Sequence, residues 1–253
     1  MVTWIDKKRL RQQVLAGTFL NLGSPTAVEI AAGLGFDWLL IDLEHGSGSW
    51  GDLRSLLLAC HGASCSPIVR IRSIDPDVVK FVLDSGAAGI MFPFVSTAEA
   101  AQAAVQACKY PPWGNRGVAH VIRATDYGGN WRSYFETANE NGLVVVQIET
   151  PEGVNNAEEI AAIDGVDVLF VGPLDLSVNL GCPGDFSSSP FTQSLRQVID
   201  AAEKHQKAAG ILSRPEGIDH HREMGFRFLA LGSDAGAVRA GLAEALHRIR
   251  GPR

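Results

Sequence analysis

Cysteine is scarce in this chain: Cys60, Cys65, Cys108 and Cys182 are the only four in 253 residues. That density excludes a disulfide scaffold, and Cys60 and Cys65 are too widely spaced for a CxxC redox or zinc pair. We read all four as reduced thiols of a cytoplasmic protein. No apolar run is long enough to span a bilayer. The opening stretch, MVTWIDKKRLRQQ, is charged and lacks the apolar core of a signal peptide. The formal net charge of −6 is spread along the chain. Without a basic patch interleaved with aromatics, nucleic acid is excluded as the expected partner. No low-complexity segment or linker appears.

What remains is an ordinary globular composition, 46% hydrophobic and 20% charged. Short apolar runs alternate with amphipathic stretches from end to end. The strand candidates are GTFL (17–20), DWLLID (37–42), PIVRI (67–71), GIMFPF (89–94), LVVVQIE (143–149), DVLFVG (167–172), AGIL (209–212) and FRFLALG (226–232). Several are apolar without alternation, as parallel strands covered on both faces are. Helical patterns fill the gaps. Ser24–Pro25 and Asp75–Pro76 each read as an N-cap followed by proline at the first helical position. Ser96 with Glu99 reads as a capping box. Eight strands alternating with helices predict one α/β domain over 1–253, a (β/α)8 TIM barrel. A doubly wound open sheet is the alternative, but no GxGxxG fingerprint follows the first strand. The stretch YPPWGNRGVAHVIRATDYGGNWRSYFETANENG, between the fourth and fifth strands, exceeds an ordinary loop, and such excursions are usually functional.

A barrel gathers its active site at the C-terminal ends of its strands. Asp42, Glu44 and His45 follow the second strand, in DLEHGSGSW. Arg70 and Arg72 stand near the end of the third. Gln147 and Glu149 end the fifth, two apart and therefore on one face. Asp175 lies just past the sixth, in GPLDLS. Each has a structural reading as well: Glu149 and Asp175 as helix caps, Arg70 as the partner of a carboxylate inside the barrel. Together they offer oxygen ligands suited to Mg²⁺ or Mn²⁺, a planar cation suited to a carboxylate or enolate oxygen, and an imidazole base. That set can remove a proton next to a carbonyl and hold the enolate. The six lysines (Lys7, Lys8, Lys80, Lys109, Lys204, Lys207) all fall outside the strands. Their placement argues against imine chemistry, which needs a lysine pointing into the barrel.

The stretches GSPTAVEIAAGLGFDWLLIDLEHG, PIVRI, YPPWGNRGV, VVVQIETPEGVNNAEEI and GVDVLFVGPLDLSVNLG resemble the HpcH/HpaI aldolase family, over roughly Ala16 to Leu246. These are pyruvate aldolases on a phosphoenolpyruvate/pyruvate-binding barrel. The resemblance is to the hydroxy-keto-acid aldolase type, whose members act on 4-hydroxy-2-oxoheptanedioate or 2-keto-3-deoxy-glucarate. It implies that Glu149 and Asp175 bind a divalent metal: Mg²⁺, Mn²⁺ or Co²⁺. The metal would chelate the keto and carboxylate oxygens of pyruvate or a related 2-oxo acid. Gly172, Pro173, Leu174 and Asp175 would cradle the carboxylate, with Gln147 lining the metal site. Arg70 would hold the keto or enolate oxygen. His45 would move the proton through a water on the metal, oriented by Asp84 or Asp42. Phe19 and Leu212 would shape the aldehyde pocket, with Arg123 near the aldehyde end. The resemblance further implies a hexamer, a trimer of dimers that exchange C-terminal helices, so that Asp84 could serve its own or a neighbouring subunit's site.

Two departures bear on the aldehyde. GSGSW follows His45 where many relatives carry a proline- or asparagine-containing turn, and Phe19 stands where tryptophan is common. A dicarboxylate substrate would want a second cation, for which Arg123 and Arg72 are the candidates. Two other functions compete with the aldolase: an acyl-CoA thioester lyase of the citrate-lyase-like branch, and a non-catalytic barrel that binds small acids. The first predicts a basic-rimmed groove for CoA, and no basic cluster is present. The second predicts loss of a ligand or of the base, and all are present.

Overall fold

The computed structural model describes residues 2–251; the first and last two positions of the expected domain lie outside them. Eight parallel strands close into a barrel in chain order: β1 (Leu15–Leu20), β2 (Trp38–Asp42), β3 (Ser66–Arg70), β4 (Gly89–Phe92), β5 (Leu143–Ile148), β6 (Val168–Val171), β7 (Ala208–Ser213) and β8 (Phe228–Ser233). The helices are α1 (Arg9–Gln12), α2 (Pro25–Gly33), α3 (Leu53–Ala59), α4 (Pro76–Asp84), α5 (Ala98–Cys108), α6 (Trp131–Asn141), α7 (Pro151–Asn155), α8 (Ala157–Ala162), α9 (Pro173–Asn179), α10 (Ser189–Lys204), α11 (Ile218–Met224) and α12 (Asp234–Arg250). All eight expected strands are present. β4 stops at Phe92, short of the expected Phe94, because Phe94 takes φ +51° and turns the chain. Among the described residues no helix is long and apolar enough to cross a membrane.

Strand alternation splits the core in two. Outward-facing residues such as Leu39, Val69, Ile90, Val146, Leu169 and Ile211 pack under the helices. Inward-facing residues fill the barrel: Leu15, Phe19, Trp38, Leu40, Ile68, Met91, Leu143, Val145, Phe170 and Phe228. Trp38 stacks on Phe228 with centroids 4.1 Å apart and meets Phe170 edge-on. Ile5 and Leu10, from the N-terminal segment and α1, join this inner cluster. Lys7 pairs with Asp167 and Arg9 with Asp37, which anchors that segment beneath the barrel.

The caps at Ser24 and Asp75 form as the sequence predicts: each side chain accepts a backbone N–H of its helix. The expected capping box at Ser96 does not. Thr97 caps α5, and the Ser96 hydroxyl bonds Thr150 instead. The cap moves by one residue because Thr97, extended at φ −136°, directs its hydroxyl at the Ala100 N–H.

The long excursion lies between α5 and β5. A helix returns the chain to the N-terminal face of the barrel, and the next strand starts there. The excursion therefore emerges on the face opposite the strand C-termini. Its residues Tyr110, Ala124, Tyr134 and Ala138 form a small separate core with Trp4 packed against it. Buried Arg116 lies over the rings of Tyr110 and Tyr134 and pairs with Asp84 at 2.7 Å. Lys109 donates to the Gly142 and Asn139 carbonyls, and burial pushes its ammonium down to about 8.

Gly17 faces Trp38 so closely that a Cβ there would fall 2.1 Å from the indole. Gly17→Ala is expected to destabilise the protein by about 1–3 kcal/mol through overpacking. Adding Trp38→Phe should recover part of that loss. Chemical denaturation of the single and double variants checks it; equal stability of wild type and Gly17→Ala would show that the ring has room to move.

Candidate active site

The inward rows of the barrel change character at their C-terminal ends. Apolar below, they become Asn21 beyond β1, Asp42 on β2, Arg70 on β3, Gln147 on β5 with Glu149 just beyond it, and Gly172 beyond β6. Strand register places Asp42 beside Arg70. A cavity of about 390 Å³ opens above them, lined by Phe19, Asn21, His45, Arg70, Gln147, Glu149, Gly172, Pro173, Leu174, Asp175 and Leu212, with Ser213, Arg214 and Ser233 on its far side. No lysine lines it.

Arg70 is held by a bidentate pair with Asp42, Nε to Oδ1 at 3.0 Å and Nη2 to Oδ2 at 2.8 Å. The Glu44 carboxylate lies 3.2 Å from the same Nε. The guanidinium carbon sits 5.0 Å from the centre of the Phe19 ring. Asp42 also accepts the backbone N–H groups of Glu44 and His45 and the amide of Asn21. Burial opposes its charge, but Arg70 and these donors hold the Asp42 carboxyl below the usual range. Arg70 thus does pair with a carboxylate inside the barrel, and it still lines the cavity. Asp42 does not touch the imidazole; it orients His45 only through the backbone. The carboxylate beside the exposed ring is Glu44, 3.8 Å from Nε2. Burial pushes Glu44 up, and Arg70 opposes it.

Glu149 is buried at the end of the β5 row. Its Oε2 accepts the Phe94 N–H, which the left-handed turn at Phe94 aims inward, and its Oε1 accepts from Gln147 Nε2. Backbone strain of this kind gathers at functional sites. Glu149 caps no helix, since Thr150 caps α7. Asp175 caps none either. Gly172 is the N-cap of α9 without a side chain, and Asp175 lies in the first turn. Pro173 has no N–H, so the amides of Leu174 and Asp175 head α9 with no side-chain acceptor from the cap. A Cβ at Gly172 would fall 2.2 Å from Glu149 Oε1, so only glycine lets that carboxylate stand where it does.

These groups suit a hard divalent cation. Gln147 Oε1 is buried with no hydrogen-bond partner, a costly arrangement unless something else fills its need. Glu149 is pushed up to about 7, by burial first, with Asp175 and Glu44 adding to the shift and the Phe94 N–H and Arg70 opposing it. Among the described residues no three His, Cys, Asp or Glu side chains converge on one point. Two carboxylates and an amide oxygen are the donor types that such a cation takes.

Two expected residues fall elsewhere in the chain. Asp84 ends α4, so it lies at the opposite end of the barrel, paired with Arg116. Arg123 lies there too, its guanidinium donating to the carbonyls of Ser85 and Leu57. Neither reaches the cavity of its own chain, because the helices and the excursion carry them to the N-terminal face. Arg72 donates to the Leu43 carbonyl and does not line the cavity. Asn21, Glu44, Ser213, Arg214 and Ser233 had no assigned role. Asn21, Glu44 and Arg214 were detectable as continuations, two residues on, of inward strand positions.

A (β/α)8 barrel with paired carboxylates, a guanidinium and an imidazole at its mouth is the frame of an enzyme for small acids. Residues 15–240 match the HpcH/HpaI aldolase/citrate lyase family, and the chain belongs to it. It is 41% identical over 252 residues to the hydroxypyruvate/pyruvate aldolase of Paraburkholderia phytofirmans, covering 96% of each chain. It is 41% identical over 231 residues to the 5-keto-4-deoxy-D-glucarate aldolase of Salmonella paratyphi C, covering 90% of each. The crystal structure of an HpcH/HpaI aldolase/citrate lyase family protein from Burkholderia cenocepacia superposes with a TM-score of 0.91 at 37% identity, over 97% of this chain and 98% of that one. Aldolases and citrate lyases both break carbon–carbon bonds, and this chain is a carbon–carbon lyase.

The Glu149 environment has a measurable consequence. The folded chain keeps a proton on Glu149 up to about pH 7, whereas the unfolded chain releases it near 4.5. The metal-free protein therefore loses stability as pH rises from 4.5 to 7. Glu149→Gln removes that loss. In EDTA at pH 8 the variant is expected to be the more stable by on the order of 1–3 kcal/mol, with the two converging near pH 5. Denaturant melts at both pH values check this; a more stable wild type at pH 8 would contradict the burial argument.

Proposed function

We propose that this protein is a class II aldolase that cleaves a 4-hydroxy-2-oxo acid reversibly to pyruvate, or a related 2-oxo acid, and an aldehyde. The carrying observation is the cluster of Glu149, Asp175 and the unpartnered Gln147 Oε1, next to the Arg70–Asp42 pair. The relatives' names, a hydroxypyruvate/pyruvate aldolase and a 5-keto-4-deoxy-D-glucarate aldolase, support the same reaction class.

Glu149 and Asp175 would hold a divalent cation, Mg²⁺ or Mn²⁺ with Co²⁺ as a further candidate, and Gln147 would add its free oxygen. Such a cation, when bound, draws electron density from the keto and carboxylate oxygens of a 2-oxo acid. The Leu174 and Asp175 amides receive the substrate carboxylate. Arg70, held rigid by Asp42, binds the keto oxygen and stabilises its charge as the enolate forms. His45 accepts the proton of the C4 hydroxyl while the C3–C4 bond breaks. The aldehyde leaves, and protonation of the enolate carbon yields the methyl group. Glu44 takes the place of Asp42 as the acid next to the imidazole. Phe19 and Leu212 bound the aldehyde side.

We assign one domain to the whole chain, a cytoplasmic setting, and a hexamer built of dimers that exchange α12. α12 supports the last point. Its 17 residues include no buried one, and Val238, Leu242, Leu246 and Ile249 form an exposed stripe at helical spacing. In a hexamer the N-terminal face of one subunit could bring Asp84 and Arg123 to a neighbour's site. Leu242→Asp with Leu246→Asp is expected to convert the oligomer to monomers in size-exclusion chromatography with light scattering. A wild-type monomer at micromolar concentration would remove the exchange.

The test of the reaction is proton NMR of pyruvate in D₂O. Methyl exchange is expected with Mg²⁺ or Mn²⁺ and should vanish in EDTA and in Glu149→Gln. Exchange that survives EDTA would discard the roles of Glu149 and Asp175. No exchange and no cleavage with any of the three metals would favour the thioester lyase or the acid-binding barrel.

A further inference from the structure

A second cavity, of about 560 Å³, opens beside the first and shares Pro173, Leu174, Leu212 and Arg214 with it. Its walls are largely apolar, with Phe186, Phe191 and Ile211, and its polar groups are Ser187, Glu216, His220 and His221. A three-carbon acid fills only part of the first cavity, so the second is available to whatever extends from it.

Arg214 stands at the seam. Ala208 and Leu212 on β7 face the barrel interior, and Ile211 faces the helices. Arg214, two residues beyond Leu212, continues the inward side into the mouth. Its guanidinium carbon lies 5.0 Å from the centre of the Phe186 ring. Stacking of this kind fixes the plane of a guanidinium while leaving its edge donors free. Among the described residues its guanidinium makes no ion pair or hydrogen bond. The Ser213 hydroxyl meets His221 Nδ1 at 2.9 Å and ties α11 to the end of β7. Burial, with His220 adding, pushes His221 down to about 4, which leaves it uncharged at neutral pH. Among the described residues Arg214 is the one permanent cation lining the second cavity. Glu216 opposes an anion on the same rim, but Phe186 holds Arg214 where a tail must pass from one cavity to the other.

We propose that the second cavity receives the tail of the acceptor aldehyde, and that Arg214 selects acceptors carrying a carboxylate beyond an apolar segment. This supplies the second cation that a dicarboxylate substrate requires, a role that Arg72 and Arg123 do not fill in this chain. The inference rests on the aldolase reading.

The experiment is aldol addition of pyruvate, with Mg²⁺, to two matched series: ω-carboxy aldehydes and unbranched uncharged aldehydes of equal chain length. Wild type is expected to prefer the carboxylate member at the length that reaches Arg214. Arg214→Gln should lower kcat/KM for that member about 10- to 100-fold more than for its uncharged counterpart, the range of one charge-assisted hydrogen bond. The loss should fall mainly on KM, and Arg214→Lys should restore part of it. An unchanged preference in Arg214→Gln, or no preference at any length in wild type, overturns the proposal. Pyruvate exchange in the same samples separates the two failures. Exchange without the preference overturns the tail assignment alone; no exchange and no addition overturns the aldolase reading and the tail with it.

Discussion

A closed parallel barrel sends alternate side chains of every strand to one axis, and the axis has little room. Here the lower part is filled by Trp38, Phe170 and Phe228 in close aromatic contact, with Gly17 giving up its side chain to admit the indole. Nothing polar could lie at that level without losing its hydrogen bonds. The same rows therefore turn polar only at their C-terminal ends, where the barrel opens. Asn21, Asp42, Arg70, Gln147 and Glu149 meet because the apolar layer beneath sets the register of the strands that carry them. The site is the upper edge of the core.

Charge is the second constraint. Asp42, Glu44 and Glu149 stand around the Arg70 guanidinium. Arg70 is already committed to Asp42 by two hydrogen bonds, so Asp42 stays ionised while Glu44 and Glu149 are pushed up. A site short of positive charge, with an unpartnered buried amide oxygen, fits the divalent cation proposed for it. Gly172 permits this by leaving Glu149 free of a neighbouring Cβ.

The N-terminal face follows a different logic. Arg116, Asp84, Tyr110 and Tyr134 form a buried polar and aromatic knot under the barrel, and α12 leaves the opposite face with Val238, Leu242, Leu246 and Ile249 exposed. The knot is filled within one chain, whereas the stripe on α12 is the face that the proposed exchange would cover.

Much of this was legible in the residues. Short apolar runs, several of them without alternation, marked the eight strands, and the proline-led caps at Ser24 and Asp75 marked two helices. Gln147 and Glu149 were placed on one face by spacing alone. That the excursion before β5 leaves from the N-terminal face also follows from topology, since a helix precedes it and a strand follows. Other features depended on contacts between residues far apart in the chain. Whether Thr97 or Ser96 would cap α5 turned on backbone angles. That Glu44 would approach the imidazole, and that Asp84 would meet Arg116, followed from packing. Strand number, strand order and the residue types at the strand ends were determined by the sequence, because side-chain period and burial are local properties of each segment. Which of those polar ends touch, which carboxylates stay ionised and where Arg214 stacks were decided only by the tertiary structure, because those outcomes depend on distance and desolvation between segments that meet only when the barrel closes.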